Sequence, residues 1–234
     1  MFKRILFTVA LATQAAYGAG APVLVELFTS EGCSSCPPAD LLLRRLEKEQ
    51  PVPGAEIVVL SEHVDYWNHL GWRDPFSSAE YSKRQQNYAR RFNRDGPYTP
   101  QMVVNGDAEF VGSDAKRAQQ AIAAAAKKPG VALRLTWTAA SKVQVEVDPI
   151  AKADVFLVTA RDEVSSDVIR GENSGRKLGH VSVAGKMTVV GRISAAAGLS
   201  KEVALEAPSE RVIVFVQTPD QGRILGVAML RSKP

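Results

Sequence analysis

The sequence is poor in the residues that build metal centres and disulfide scaffolds. Its 234 residues include two cysteines and three histidines. Two cysteines cannot make a disulfide-dense scaffold or a multi-cysteine metal cluster. Three histidines leave little with which to build a large zinc or iron site. Neither sign of charge dominates, with 29 basic against 25 acidic side chains and a net charge of +4. Beyond the N-terminus, no apolar run approaches transmembrane length. What is present is 45% hydrophobic and 23% charged. That balance excludes an intrinsically disordered chain, and the length admits one large domain or two small ones with a real core.

The N-terminus alters the charge count. Lys3 and Arg4 precede the apolar run Ile5–Ala12, and small residues follow at Ala16-Tyr17-Gly18 and Gly18-Ala19-Gly20. This is the layout of a secretory signal peptide over residues 1–20, too short to span a bilayer as a helix. Its removal takes Lys3 and Arg4 away, leaving 27 basic against 25 acidic residues, a net of +2. A near-neutral mature chain gives no electrostatic case for nucleic acid, and no membrane span is expected after cleavage. The exported compartment is oxidising, so a disulfide is permitted there.

Residues 23–29 and 56–60 read as buried strands, and residues 36–49 between them as a helix with Pro37 and Pro38 in its first turn. An aromatic, irregular insertion spans residues 63–78. A second helix is expected over residues 78–93. Its basic residues Lys83, Arg84, Arg90, Arg91 and Arg94 read as a solvated face. Asn105-Gly106 predicts a hairpin between two short strands. An alanine-rich helix follows to Lys128, with Ser113 as its expected N-cap. After Gly130 the texture changes to short alternating runs such as VALRLTW, KVQVEVD and RVIVFVQ, which suggest an all-β sandwich. The expected division is therefore residues 21–129 and 130–234, with the order β, α, β, α, β, β, α in the first part.

Cys33-Ser34-Ser35-Cys36, set between the first strand and first helix, is the sharpest feature. Backbone N–H groups and the helix dipole stabilise a thiolate at the first cysteine, and the second resolves a mixed disulfide. Thr99-Pro100 precedes a strand that the chain order sets beside the first one. Order, motif and proline together resemble a thioredoxin-like fold, which implies a cis Thr99–Pro100 bond where a partner peptide docks. Glu26, on the first strand, is read either as a proton acceptor for Cys36 or as a solvated edge carboxylate or ion-pair partner.

The segments ELFTSEGCSSCPPAD, SEHVDYWNHLGWRDPFSS and YTPQMVVNG resemble an uncharacterised bacterial family of exported thioredoxin-like proteins, the domain of unknown function numbered 1223. RGENSGRKLGH at 170–180 is similar to a polar stretch of that family's β-rich part. The first block is also similar to the Omp28-related thioredoxin-like proteins. The resemblance implies an α/β thioredoxin-like domain followed by a small all-β domain. The chain departs from thioredoxin itself: Gly32 stands in place of tryptophan, Ser34-Ser35 in place of Gly-Pro, and the charge of Glu31 opposes a thiolate at Cys33.

The insertion leaves the second strand at the end where the cysteines lie. His63, Asp65, Tyr66, Trp67 and Trp72, with Tyr98 beside the proline, are candidates for a partner-selecting wall; His69 belongs to the same loop. Packing of the insertion onto the domain is the competing account. The stretch 170–180 reads as a long polar hairpin loop, or as a contact to the other domain or to a partner. Three functional readings stay open. One is a thiol–disulfide oxidoreductase that acts on protein thiols and disulfides in the exported compartment and needs no organic cofactor. Another is a binding module stapled by a structural disulfide. The last is a Cu(I) chaperone using Cys33, Cys36 and His63.

Overall fold

A computed structural model describes residues 21–194, 197–207 and 209–232. The expected signal peptide lies outside the described residues. Those residues form a mixed α/β structure, mostly strands, with three helices.

Strand β1 (Ala21–Thr29) and strand β2 (Ala55–His63) pair in parallel, Ala21 beside Ala55 through Thr29 beside His63. Helix α1 (Pro37–Glu49) makes the crossover between them. Pro37 and Pro38 occupy its first two positions, where the missing N–H groups have no helical acceptor to lose. Helix α2 (Ala79–Arg91) starts at Ser78, whose hydroxyl accepts from the Glu80 amide. Strands β3 (Gln101–Val104) and β4 (Ala108–Val111) form the hairpin expected at Asn105-Gly106, with both residues at positive φ. β3 runs antiparallel to β1. Helix α3 (Ala115–Ala126) is capped by Asp114, whose carboxylate accepts from the Arg117 amide, rather than by Ser113. A carboxylate one residue nearer the helix wins the cap position.

β1 is buried on both faces, and its side chains alternate between two cores. Val23, Val25 and Leu27 join Leu42, Leu43 and Leu46 of α1 and Ile122 of α3 in one core. Leu24 and Phe28 face the other way, toward Tyr81 and Tyr88 of α2. The sheet thus carries α1 and α3 on one face and α2 on the other, and each fully buried aliphatic contributes roughly 1.5–3 kcal/mol.

Seven strands follow: β5 (Leu133–Ala139), β6 (Lys142–Ile150), β7 (Ala153–Val168), β8 (Arg176–Ile193), β9 (Ala197–Ala204), β10 (Arg211–Gln217) and β11 (Ile224–Arg231). The large sheet runs β11-β10-β7-β8-β2-β1-β3-β4. It therefore continues across residue 130, joined where Ser61 of β2 pairs with Val183 of β8. The smaller sheet, β5-β6-β9, buries Val143, Val145 and Val147 against Val155, Val212 and Val214 of the large one. β10 is buried along its whole length, which accounts for its uninterrupted apolar run. Strands β7 and β8 are far longer than their apolar segments suggested. They carry the hairpin outward until only residues 169–175 remain as its tip. Among the described residues, no helix is long and apolar enough to cross a membrane.

Candidate functional site

Cys33 and Cys36 form a disulfide at the start of α1, with Cys36 as the helix N-cap. The Cys36 amide donates to the Cys33 carbonyl, and the Ala39 and Asp40 amides donate to the Cys36 carbonyl. The N-cap Cys36 makes no side-chain capping hydrogen bond, its sulfur being committed to the disulfide. Ser34 and Ser35 are exposed, yet both cysteines are 0% exposed.

The Thr99–Pro100 peptide is cis, and two contacts bring it to the disulfide. A Cβ built on Gly112 would lie 3.1 Å from the Cβ atoms of both Pro100 and Ala39, so Gly112 lets the β4 end pass between them. Trp67 donates from Nε1 to Thr99 Oγ1 at 2.9 Å, and its Cβ lies 3.0 Å from where a Gly32 Cβ would sit. Gly32 thus makes room for the tryptophan that joins the insertion to both halves of the site.

The insertion closes at its base, where Val64 bridges Ser78. His63 and Trp72 face inward with Trp67. The other candidates turn elsewhere. The Asp65 amide and carboxylate bond Ser82 on α2, and the Tyr66 hydroxyl donates to Gln85. The Tyr98 hydroxyl donates to Glu109 of β4. His69 is exposed.

Beneath the disulfide lies a polar cluster that the sequence did not announce. Glu31 is fully buried and accepts from Trp72 Nε1 at 2.8 Å and from the Ser166 hydroxyl; its Oε1 lies 3.2 Å from His180 Nε2. His180 Nδ1 lies 3.4 Å from Asp40 Oδ1, a charge contact rather than an aligned hydrogen bond. Asp40 also accepts from the Thr29 hydroxyl. Asp74 accepts from the Glu31 amide at 2.9 Å and bonds His63 Nδ1 at 2.7 Å. The His63 and His180 rings meet edge to face, with centroids 4.5 Å apart.

Burial pulls the His180 pKa down, but Asp40 and Glu31 outweigh it and lift the ring to about 9. Burial pushes Glu31 up, yet its bonds from His180, Ser166 and Trp72 hold it below the ordinary range. Asp74 is likewise held low against its burial, by His63 and two backbone amides. The negative charge of Glu31, expected to oppose a thiolate, is therefore compensated locally.

The β7–β8 hairpin tip completes the site from above. The Asn173 amide nitrogen donates to the carbonyls of Glu31 (2.8 Å) and Cys33 (3.0 Å), and the Ser34 amide donates to Glu172 at 3.0 Å. Sequence reasoning flagged the stretch 170–180 for a contact, but not its target.

Glu26 is not part of this cluster. It lies on the α2 face of the sheet, whereas α1 packs on the opposite face. There it is fully buried, accepting from Arg84 Nε and Nη2 at 2.8 and 2.6 Å and from the Tyr88 hydroxyl at 2.7 Å. The ion-pair reading of Glu26 matches this geometry. Arg84 is accordingly a buried cation, 6% exposed, and not part of a solvated helix face.

A family model described as Protein of unknown function (DUF1223) matches residues 24–217. The chain belongs to that family. Within DUF1223 the matched span takes in the disulfide, the insertion at 63–78 and the hairpin tip alike. The chain is similar to the crystal structure of an Agrobacterium tumefaciens protein, with a TM-score of 0.80 and 28% identity over 93% of this chain and 97% of that one. It is also similar in fold to HBP35 of Porphyromonas gingivalis, with a TM-score of 0.56 and 14% identity over 92% of this chain and 76% of that one. Among curated proteins none matches the chain.

Among the described residues no group of three or more His, Cys, Asp or Glu side chains is arranged to hold an ion. His63 directs Nδ1 to Asp74 and its ring to His180 and Phe76.

Proposed function

We propose that this DUF1223 protein is an exported thiol–disulfide oxidoreductase built on a thioredoxin-like framework. The observation that carries the reading is a Cys-Ser-Ser-Cys disulfide at the N-terminus of α1, within one side chain, Trp67, of the Thr99–Pro100 segment. The order β2-β1-β3-β4, with helices on both faces, supports the framework. The signal-like N-terminal sequence and the disulfide itself support export. Cys33 is the sulfur attacked, because Cys36 lies at the inner end of the turn and begins the helix. Thr99 and Pro100 hold the partner's extended chain. Glu31, His180 and Asp40 take the place of a proton-handling group that Glu26, on the far face, does not fill.

The chemistry is two exchanges. A partner thiolate attacks Cys33 Sγ, the Cys33–Cys36 bond breaks, and Cys36 leaves as a thiolate and takes up a proton. The partner's second thiolate then attacks the mixed disulfide and releases Cys33. The partner dithiol has lost two electrons and the protein disulfide has gained them.

Equilibration with a thiol buffer is expected to give a potential above about −300 mV. Cys36→Ala is expected to accumulate mixed disulfides through Cys33. A much lower potential together with no trapped partner would replace this reading with a second one, a binding module stapled by its disulfide. That alternative draws on the complete burial of both cysteines.

A further inference from the structure

An incoming thiolate must reach Cys33 Sγ roughly along the S–S axis. In this structure Cys33 and Cys36 are both fully buried, although the serines between them are exposed and Ser35 Oγ lies 3.4 Å from Cys33 Sγ. The backbone around Cys33 is held by the far half of the chain. Asn173, itself 0% exposed, donates one hydrogen to the carbonyl of Glu31 and one to that of Cys33, and so closes both sides of the segment leading into the first cysteine. Arg176 Nη1 donates to Asn173 Oδ1 at 2.9 Å and fixes the amide's orientation. Glu172 accepts from the backbone amide of Ser34, the N–H lying between the two cysteines.

The tip is shaped for this fit. Gly171, at φ +76°, runs so close to Trp72 that a Cβ there would sit 3.1 Å from the Cβ of the tryptophan, and Gly175, at φ +79°, turns the chain back into β8. The two segments flanking the cover each present an exposed apolar side chain, Leu70 on the insertion and Ile169 on the tip.

We propose that residues 171–175 are a built-in cap on the exchange site, and that a partner thiol gains Cys33 only when the cap lifts. The inference rests on the oxidoreductase reading for its purpose, but not for its test. The cap engages the carbonyls and the amide that surround Cys33, so a docking partner segment must displace Asn173 and Glu172 rather than add to them. Glu172 also sets a carboxylate on the Ser34 amide, one residue from where reduction creates a thiolate at Cys33. The two negative groups compete for the same N–H field at the start of α1, so the reduced protein holds its cap less firmly than the oxidised one.

The test is the rate at which dithiothreitol reduces the Cys33–Cys36 bond in the full chain, compared among wild type, Asn173→Ala and Glu172→Ala, at low and high salt. Loss of the two Asn173 hydrogen bonds is expected to speed reduction about tenfold or more. Glu172→Ala is expected to speed it by a smaller factor that persists at high salt, where simple repulsion of the attacking thiolate is screened. Rates within twofold of wild type in both variants would overturn the cap, and so would a Glu172→Ala effect that vanishes with salt alongside an unchanged Asn173→Ala rate. Glu172 is exposed, so its variant folds and decides the matter even if Asn173→Ala does not. The equilibrium potential of the same samples separates the two ideas. A staple-like potential with cap-dependent rates removes the oxidoreductase reading and leaves the cap standing.

Discussion

At the scale of single residues, His180 shows how one buried cation organises a site. It stands between Glu31 and Asp40, and faces the ring of His63, which is itself held by Asp74. Its folded pKa of about 9 lies above the ordinary 6.5. The stabilisation it brings is therefore complete below about pH 6.5 and is lost as pH rises through about 9. A rise of that size corresponds to at most about 3.4 kcal/mol, and the unaligned contact to Asp40 argues for less. Glu31, held below its ordinary value, acts in the other direction, and its share is lost in acid. We expect the urea midpoint to be highest near pH 5–6.5 and to fall toward pH 9, and we expect His180→Gln to flatten the alkaline limb. An alkaline loss unchanged by His180→Gln would assign the effect to another group.

These residues also mark the limit of what the sequence discloses. Cys33 and Cys36 were legible because their spacing and their place before a helix carry the chemistry in the chain itself. Glu31 was legible as a charge but not as a buried one, because its partners Ser166 and His180 lie over 130 residues away. Glu26 was misleading in a simple way. Strand periodicity puts it on the face opposite α1, and a one-residue offset on a strand is a change of face.

Among the elements, helix α2 departs furthest from its pattern. Its run of basic residues suggested a solvated surface, but Arg84 sits between Glu26 and Glu62, with the Phe215 ring 5.1 Å from its guanidinium. One cation cannot neutralise two buried carboxylates. Glu26 takes both close N–H donors, and Glu62 is left 3.6 Å away with neither oxygen hydrogen-bonded. Burial and then the charge of Glu26 push the Glu62 pKa well above 4.5, so it stays protonated through a range in which the unfolded chain has already ionised. That difference costs stability increasingly as pH rises above about 4.5. Glu62→Gln is therefore expected to gain on the wild type as pH climbs from 5 to 8, by of order 1 kcal/mol in chemical denaturation. A constant difference across that range would mean that Glu62 is ionised in the fold. The aromatic insertion divides between two tasks: of its named side chains, His63, Trp67 and Trp72 turn to the site, while Asp65 and Tyr66 fasten it to α2.

For the whole molecule, the texture change near residue 130 is real in the pattern of elements, helices before and strands after. What no local pattern conveyed is that β8 joins β2 and extends the first half's sheet. Leu24, Val58, Leu60 and Tyr81 share one core with Val158, Ile213, Phe215 and Val227. Long-range pairing of this kind leaves no period in either partner. A fragment of residues 21–129 is expected to expose that whole face and the β2 edge, and to show a broad, low-temperature transition with dye-accessible apolar surface. A fragment as cooperative and stable as the full chain would show the first half to be self-sufficient.

The turn at Asn105 has a consequence in time. Its side chain accepts from the Leu24 amide and its backbone carbonyl accepts from the Ile224 amide. One residue in the middle of the chain thus clasps strands that begin about two hundred positions apart. No chain emerging end first can fasten this clasp until its last strand is free. Closure is a late, non-local event that puts folding on the slow side for a chain of this size. The β7–β8 hairpin lies between β10 and β2 in the same sheet, so its tip too reaches the Cys33 turn only after most of the chain is available.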